Sequence, residues 1–360
     1  MKIIIITRSM WAGGAERVIA EIVTYLSRNN FEAKIITIDD DIVQYEIPDN
    51  VELIAIGKQS NFKLTDKFCR YYKTRKIIKK EKPELVLSMP EDIGIYVIPA
   101  LYGTKVPVVV SERNNPKVMP WKKSTRLLRK LVYPFVDGII FQTHEASDFF
   151  SDRIRSKSIV LPNPINSKSF PERWCGERRK IIVGAGRLDK QKNFKLLIDA
   201  FLRVNRIHSD YKLIIYGEGK ERQNLTNYAE SVLPEGSYLF PGRSSDLIYE
   251  MYQASIFVLS SDFEGMPNVL IEAMSIGLPV VSTDCPAGGP RELIANNKNG
   301  ILVPVGDEVA LSDAIIKVIS NLDFAKFIGE NAISIKNEYD VEVVGKMWLD
   351  YLISKIHLKK

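Results

Sequence analysis

The feature that most constrains this fold is an alternation between short aliphatic runs and longer stretches with helical spacing. Strands that alternate with helices are typical of βαβ units, and strands buried on both faces read as continuous apolar runs. The first half of the chain has five such runs, at residues 3–6, 33–38, 84–88, 106–110 and 138–141. The pattern predicts a parallel, doubly wound α/β sheet.

The alternation breaks in a polar segment between residues 166 and 179 and then restarts. Further runs follow at 180–186, 211–217, 255–259 and 278–282. A chain of 360 residues is long enough for about two domains. We therefore expect two doubly wound Rossmann-like domains, 1–165 and 166–340, facing a central cleft. Residues 341–360 have amphipathic spacing and are expected to pack back on the first domain as a helix.

The distribution of charge and cysteine excludes several classes of protein. Residues 1–166 hold 26 Lys and Arg against 19 Asp and Glu, whereas residues 167–360 hold 24 against 25. The first domain is therefore expected to bind an anionic partner. Nucleic acid is not expected to be that partner, because the sequence contains no nucleic-acid-binding motif. Three cysteines without CxxC spacing give neither a disulfide framework nor a zinc site. No apolar run approaches the ~20 residues of a membrane span, and residues 1–7 are too short for a signal peptide.

Two loops that follow predicted strands have residues suited to an anion. Gly13 and Gly14 open a helix after the first strand, where backbone N–H groups can approach an anion, or where they simply make a tight turn. This loop lacks the GxGxxG spacing, which argues against an NAD-dependent oxidoreductase. Arg187 and Lys192 share the loop after the first strand of the second domain. Two cations there suit a diphosphate, although a solvated basic loop would have the same sequence.

The stretch 261–272 carries two carboxylates eight residues apart. Pro267 suits the first turn of a helix, which puts Glu264 on the loop and Glu272 on the helix. A carboxylate can accept hydrogen bonds from two hydroxyls, as in the recognition of a ribose or hexose. Glu272 could equally belong to a charge network. The backbone N–H groups of Asn268 and Val269 would face a phosphate placed at this helix start.

These motifs occur in the order seen in one enzyme family. They are residues 13–17, Gly186-Arg187 with Lys192, residues 241–243, the Glu264-x7-Glu272 pair and residues 286–292. From about residue 2 to 350 the chain resembles retaining GT-B glycosyltransferases of family four. Within that family it is similar to bacterial enzymes that build capsule, O-antigen or other surface polysaccharides and lipid-linked glycans, and residues 111–114 and 141–143 support this branch.

The resemblance implies a function for each domain. The first would bind a lipid-linked or polysaccharide acceptor, and the second a nucleotide sugar. The implied reaction is transfer of a hexose or N-acetylhexosamine, most simply from a UDP-sugar, with retention of the α-configuration. No metal and no other cofactor is expected, because fixed cations and a helix N-terminus neutralise the diphosphate. Asp39, Asp40 and Asp41 are interpreted as a polar loop.

The resemblance also implies roles for individual residues. Arg187 and Lys192 would bind the diphosphate, Glu264 the hydroxyls of the donor sugar, and Glu272 the ribose. The remaining donor contacts would come from Gly14, Arg243, Gly265, Met266, Asn268 and Val269. One departure is that residues 111–114 read Ser-Glu-Arg-Asn where many relatives have a histidine. Glu112 or Arg113 could orient a substrate there, or the departing phosphate could accept the proton. His144 is a further candidate that could also be structural.

A basic segment follows this position. Residues 113–136 contain seven Lys and Arg and no acidic residue, with apolar residues at roughly helical spacing. Such helices lie on anionic membranes, and the residues assigned to this surface are Trp121, Lys122, Lys123, Arg126, Arg129 and Lys130. A helix packed on its own sheet with a solvated basic face is the alternative. With a membrane-bound acceptor, the expected location is cytoplasmic and peripheral, on the inner face of the plasma membrane.

Two other functions fit a fold of this kind. One is a sugar-nucleotide epimerase of the UDP-N-acetylglucosamine 2-epimerase type, which needs acid and base groups that three histidines in the whole chain scarcely supply. The other is a non-catalytic binder of sugar nucleotides. Loss of Arg187, Lys192 or Glu272 would favour that binder, and all three are present.

Overall fold

The computed structural model describes residues 1–11 and 13–358. The chain divides into two compact units. Unit 1 comprises residues 1–165 and the segment that begins at Tyr339, and unit 2 comprises Asn166–Glu338. The predicted pair of parallel α/β sheets is confirmed, since each unit is built around one sheet whose strand pairs are parallel.

Unit 1 contains a seven-stranded sheet in the order β3-β2-β1-β4-β5-β6-β7. The strands are β1 (Lys2–Thr7), β2 (Glu32–Thr37), β3 (Glu52–Ala55), β4 (Leu85–Ser88), β5 (Val108–Ser111), β6 (Gly138–Phe141) and β7 (Ser158–Val160). The helices are α1 (Gly14–Arg28), α2 (Lys63–Glu81), α3 (Glu91–Leu101), α4 (Lys123–Val132), α5 (His144–Asp148), α6 (Asp152–Arg155) and, from the end of the chain, α15 (Val341–His357).

Helix α15 belongs to unit 1 because its apolar side completes that core. Trp348 is fully buried, and its indole Nε1 donates to the carbonyl of Pro162 at 3.3 Å. The hydroxyl of Tyr351 donates to the carbonyl of Lys157 at 2.6 Å, beside the start of β7. The same helix contacts α1. These contacts fix the last helix against the β6–β7 side of the unit 1 sheet and against α1.

Unit 2 contains a six-stranded sheet in the order β10-β9-β8-β11-β12-β13. Its strands are β8 (Arg179–Ala185), β9 (Lys212–Tyr216), β10 (Tyr238–Gly242), β11 (Ala254–Leu259), β12 (Val280–Thr283) and β13 (Ile301–Val303). Its helices are α7 (Phe194–Ile207), α8 (Arg222–Val232), α9 (Leu247–Tyr252), α10 (Asn268–Ser275), α11 (Gly289–Leu293), α12 (Glu308–Ser320), α13 (Leu322–Ala332) and α14 (Ile335–Glu338).

The loops after β8 and β9 touch at a point where only glycine fits. Gly217 has φ +136°, a conformation that side chains disfavour. A Cβ on Gly217 would lie 1.9 Å from the carbonyl oxygen of Gly186. The close approach holds the start of the Arg187–Lys192 loop against the neighbouring strand end.

Within the described residues, no helix is both long and apolar enough to span a bilayer.

Candidate functional site

The candidate site lies at the carboxyl edge of the unit 2 sheet, where open parallel sheets bind their ligands. The loop after β8 carries Arg187, whose side chain is 69% exposed. Its Nε forms an ion pair with Asp189 Oδ2 at 2.5 Å. Asp189 also accepts a hydrogen bond from the backbone N–H of Lys192, which caps the short turn 190–192. The guanidinium of Arg187 is therefore exposed, while the backbone of its loop is held by the hydrogen bond to Asp189.

Lys192 and Glu264 form a buried ion pair between two loops. The distance from Lys192 Nζ to Glu264 Oε1 is 2.6 Å, and both side chains are largely buried. Ser261 Oγ donates to the same carboxylate oxygen at 2.6 Å, and Gln191 Nε2 lies 3.4 Å from the other. Because the carboxylate has three side-chain partners, its orientation is fixed before any ligand binds.

Further hydrogen bonds join the loop after β8 to the loop after β11. Ser260 Oγ donates to the carbonyl of Lys192 at 2.9 Å. Asp262 accepts from Asn193 Nδ2 at 2.7 Å through its side chain and donates from its backbone N–H to the carbonyl of Gln191 at 2.8 Å. Side chains held by such contacts on strand ends keep their geometry better than side chains on a free loop.

The loop after β12 packs on the same segment. Glu264 exchanges two backbone hydrogen bonds with this loop, donating to Pro286 at 2.7 Å and accepting from Ala287 at 2.8 Å. A Cβ on Gly289 would lie 1.6 Å from the carbonyl oxygen of Gly265, so this approach also requires glycine. The three loops after β8, β11 and β12 therefore form one connected edge.

Helix α10 starts from this edge. Gly265 and Met266 are buried just before it, and the helix begins at Asn268 and Val269 with Pro267 at the N-cap. A helix N-terminus favours negative charge. Glu272 is buried one turn further along. The edge thus has two kinds of group. The cations and the helix N-terminus suit an anion, and the carboxylates can accept hydrogen bonds from hydroxyls.

Arg243 stands apart from this cluster in the sheet order. It is exposed and directly follows β10, the edge strand that lies two positions from β8. All other unit 2 residues predicted for the site lie on the three loops or on α10. Among the described residues, no group of three His, Cys, Asp or Glu side chains is arranged to hold a metal ion.

Unit 1 has its own polar cluster at the carboxyl edge. Arg113 Nη2 donates to Asn163 Oδ1 at 2.6 Å, and Gln142 Nε2 donates to the same oxygen at 2.7 Å. The backbone N–H of Arg113 donates to Glu91 Oε2 at 3.2 Å. Burial raises the pKa of Glu91 to about 8 and lowers the pKa of Arg113 to about 10.

Sequence reasoning missed Glu91, Gln142 and Asn163 as members of this cluster. Each of them follows shortly after a strand, β4, β6 or β7 respectively. Their position relative to the strand ends was therefore a usable signal. A polar residue that follows a buried parallel strand is brought to the same edge as its neighbours on adjacent strands.

The prediction that Arg129 lies on the surface is wrong, because it forms a buried ion pair with Glu112. Both side chains are 1% exposed and form an ion pair with Arg129 Nη1 3.2 Å from Glu112 Oε2. The hydroxyl of Tyr133 donates to the same carboxylate, and Arg129 Nη2 donates to the carbonyl of Pro116 at 2.6 Å. Arg129 lies on the side of α4 that carries the buried Val132. Glu112 is therefore neutralised by Arg129 and Tyr133, and Arg129 is not on the surface.

The other residues assigned to the basic surface differ in exposure and in hydrogen bonding. Trp121, Lys122, Lys123 and Lys130 are exposed, as predicted for a surface. Arg126 is half-buried, and its Nη1 donates to the carbonyls of Val118, Pro120 and Trp121 at 2.7 to 2.9 Å. The guanidinium of Arg126 therefore braces the turn before α4.

The two remaining candidates of unit 1 lie at helix starts. Gly14 is the first residue of α1, and the carbonyl of the preceding Gly13 accepts a hydrogen bond from the hydroxyl of Tyr45 at 2.8 Å. His144 is exposed at the first position of α5, which is capped by the side chain of Thr143. Gly14 lies seven residues after the end of β1, and His144 lies three residues after the end of β6.

Two family models match the chain, one over each half. The model described as Glycosyltransferase Family 4 matches residues 12–169. The model described as Glycosyl transferases group 1 matches residues 168–334. The two models meet at residues 168–169, close to the change from unit 1 to unit 2 after Ile165.

Relatives and solved structures extend this likeness over nearly the whole chain. An α-1,4-N-acetyl-D-galactosaminyltransferase of Campylobacter jejuni, named for the acceptor GalNAc-alpha-(1->4)-GalNAc-alpha-(1->3)-diNAcBac-PP-undecaprenol, is 26% identical over 97% of both chains. A second N-acetylgalactosaminyltransferase of the same organism, also named for a diphospho-undecaprenol acceptor, is 28% identical over 96% of this chain and 97% of its own. Anabaena HepE, solved with UDP and glucose, superposes with a TM-score of 0.85 at 18% identity, covering 98% of this chain and 100% of HepE.

Two Rossmann-like units that match these models and this structure have the GT-B fold of glycosyltransferases. Together, the two models and these relatives make the chain a family-four-like glycosyltransferase.

Proposed function

We propose that the protein transfers a hexose or N-acetylhexosamine from a UDP-sugar to a lipid-linked glycan, with retention of configuration and without a metal ion. The observation that carries the proposal is the buried pair between Lys192 and Glu264, set on loops that also present Arg187 and the start of α10. A sugar diphosphate needs both halves of this arrangement, cations for its phosphates and a fixed carboxylate for its hydroxyls.

In the proposed mechanism, unit 2 stabilises the leaving group. Arg187 and Lys192 neutralise the charge that develops on the diphosphate as the glycosidic bond breaks, and the N-terminus of α10 adds a partial positive charge. Glu264 holds hydroxyls of the transferred sugar. Glu272 accepts hydrogen bonds from hydroxyls of the ribose, and Arg243 lies beside the base. These fixed charges supply the neutralisation for which other enzymes use a metal ion.

The acceptor is proposed from the relatives' names and from the chemistry of unit 1. Two relatives are named for undecaprenyl-diphosphate-linked acceptors. The edge cluster offers the guanidinium of Arg113, held in place by Asn163, and a guanidinium suits a phosphate group. Such an acceptor is membrane-bound, so the protein would work peripherally at the inner face of the plasma membrane, with the exposed residues around Trp121 toward the lipid.

UDP binding to a Glu272→Gln variant tests the donor assignment. A hydrogen bond to a charged group contributes roughly 1.5–3 kcal/mol, so loss of the charge should weaken UDP about 10- to 100-fold by isothermal titration calorimetry. Glu230→Gln, an exposed change on α8 of the same unit, is the matched control and should leave UDP affinity unchanged. Equal UDP affinity of the Glu272→Gln variant and the unmodified protein would remove Glu272 from the ribose site.

A panel of UDP- and GDP-sugars, assayed for slow donor hydrolysis, identifies the sugar and the base. We expect hydrolysis of one or a few UDP-sugars. Hydrolysis of GDP-sugars alone would contradict the choice of nucleotide.

A further inference from the structure

The loop after β1 carries a half-exposed tryptophan whose ring is held in place. Trp11 lies four residues after the end of β1 and is 48% exposed. Its indole Nε1 donates to Asp40 Oδ2 at 2.9 Å, in the loop after β2. Asp40 Oδ1 accepts at the same time from the backbone N–H of Ile42 at 3.2 Å. Because the carboxylate is held by its own loop, it fixes the orientation of the indole.

Backbone hydrogen bonds join the loops after β1 and β2. The N–H of Asp39 donates to the carbonyl of Arg8 at 2.9 Å, and the N–H of Gln44 donates to the carbonyl of Met10 at 3.0 Å. The side chain of Met10 is fully buried. The residue before Trp11 is therefore anchored in the core of unit 1, and a side chain supported in this way keeps its geometry better than one on a free loop.

The loop that faces Trp11 is acidic, although unit 1 as a whole carries an excess of cations. Residues 39–41 are three consecutive aspartates. Asp39 forms ion pairs with Arg8 at 3.5 Å and with Arg70 at 2.7 Å. Asp41 is exposed and has no ion pair within the part of the chain that the structure describes. Negative charge therefore lies beside the indole.

A neutral sugar fits this arrangement. A pyranose ring has a face of C–H groups, which the negative face of an indole attracts, and a rim of hydroxyls, whose hydrogen bonds carboxylates accept. Ile42 and Val43, both exposed in the loop after β2, extend the apolar surface. One indole with two aliphatic neighbours is small for a protein interface, and the carboxylates repel anionic lipid headgroups.

The order of the strands relates Trp11 to the polar cluster of unit 1. Strands β2, β1, β4 and β5 are consecutive neighbours in the sheet, and Arg113 follows β5. Neighbouring strands are about 4.8 Å apart, so the ends of β1 and β5 are separated by roughly 10 Å. One acceptor molecule can therefore reach both Trp11 and Arg113.

We infer that Trp11 is a stacking surface for a neutral pyranose of the acceptor glycan, and that Asp40 positions its ring. The inference rests on the proposed function and deepens it, because it names residues of unit 1 that select the class of acceptor sugar. The charge of Asp41 disfavours sugars that carry a carboxylate.

Fluorine NMR of protein labelled with 5-fluorotryptophan tests sugar binding without turnover. The chain has four tryptophans, and the Trp11 resonance is identified by its loss in a Trp11→Phe variant. The probes are the methyl α-glycosides of glucose, galactose, N-acetylglucosamine and N-acetylgalactosamine. We expect at least one of them to move the Trp11 resonance and to leave the resonance of Trp121 unchanged. A Trp11 resonance that none of the probes moves would overturn the inference.

Transfer kinetics distinguish a sugar-binding role of Trp11 from a structural one, using an undecaprenyl-diphosphate-linked acceptor. Trp11→Ala should raise the KM for the acceptor about 10-fold, because the sugar no longer covers an indole, and leave the KM for the UDP-sugar unchanged. Trp11→Phe, which keeps an aromatic ring, should recover most of the loss. Phe327→Ala is the matched control, since Phe327 is a 50% exposed aromatic residue of unit 2. An acceptor KM that is equal in Trp11→Ala and the control would contradict the assignment.

The positioning role of Asp40 has its own pair of variants. Asp40→Ala frees the indole, so the acceptor KM should rise about 3-fold through the entropy lost when one side chain is immobilised on binding. Asp40→Asn keeps an oxygen that can accept from the indole Nε1 and should behave like the unmodified protein. If Asp40→Ala left the acceptor KM unchanged, Asp40 would not position the ring.

Methyl α-glucuronide tests the preference for neutral sugars. At low salt it should move the Trp11 resonance less than methyl α-glucoside at equal concentration, and Asp41→Asn should reduce the difference. A glucuronide that moves the resonance as strongly as the glucoside would overturn the preference.

UDP titration and slow donor hydrolysis separate failure of this inference from failure of the proposed function, because neither needs an acceptor. Normal UDP affinity and hydrolysis, together with a Trp11 resonance that no sugar moves, overturn the inference alone. Loss of both UDP binding and hydrolysis, with a Trp11 resonance that responds to sugar, contradicts the transferase proposal and leaves the sugar site supported.

Discussion

Arg187 and Lys192 share a loop, but they differ in what else they do. Lys192 is committed to a buried ion pair with Glu264, so replacing it changes both ligand binding and the packing of two loops. Arg187 is exposed and is paired with Asp189 of its own turn. Replacement of Arg187 therefore tests its role in the reaction with little effect on folding.

We expect Arg187→Ala to slow sugar transfer by about 10²–10³-fold, the range for removing one preorganised group that stabilises developing charge. The free energy of unfolding should change by no more than about 0.5 kcal/mol, because the side chain is on the surface. Lys190→Ala, an exposed cation on the same loop, is the control and should keep normal turnover. Near-normal turnover of the Arg187→Ala variant would remove this side chain from the diphosphate site.

The sequence predicted which loops and helix carry these unit 2 residues, because their spacing relative to strands and to one another is local. Glu264 and Glu272 are eight residues apart on one loop and helix, and Lys192 follows the first strand of its unit at a fixed distance. Local spacing could not predict the surroundings of the Glu112 carboxylate. Whether a carboxylate faces a ligand or is neutralised in the core depends on Arg129, seventeen residues away on a helix whose rotation the sequence does not determine.

At the scale of elements, strands were more predictable than helix faces. The buried strands β1 and β4 to β6 are continuous apolar runs that admit one interpretation. Helices α2 and α4 instead expose apolar residues and bury polar ones, so the usual link between hydrophobicity and burial is reversed on parts of both. Hydrophobic periodicity locates such helices along the chain but assigns the wrong side to the core.

The pair between Arg129 and Glu112 ties α4 to the end of β5. We expect Arg129→Ala to lower the free energy of unfolding by about 3–5 kcal/mol, because it leaves Glu112 buried without its cation. Lys130→Ala, an exposed neighbour on the same helix, should change it by less than about 0.5 kcal/mol. Urea denaturation measures both changes.

The double variant Arg129→Met, Glu112→Gln should recover part of the lost stability, because it removes both charges together. If Arg129→Ala is as stable as the Lys130→Ala control, the ion pair does not fasten α4.

At the scale of the whole molecule, the sequence predicted two α/β units because the strand pattern restarts after a polar segment. The chain returns from unit 2 to unit 1 near Tyr339. No polar segment marks this point, because only residues 339 and 340 separate α14 from α15. What assigns α15 to unit 1 is long-range packing of Trp348 and Tyr351 against residues near β6 and β7. The amphipathic spacing of the helix predicts only that it packs on some core.

The central claim is that fixed protein charges carry out a retaining transfer without a metal ion. The most direct measurement is transfer from the preferred UDP-sugar to an undecaprenyl-diphosphate-linked acceptor in the presence of excess EDTA, with the new linkage determined by proton NMR from its anomeric coupling constant. The account predicts undiminished transfer and an α-linked product. A β-linked product, or transfer that stops with EDTA and returns with a divalent cation, would contradict it.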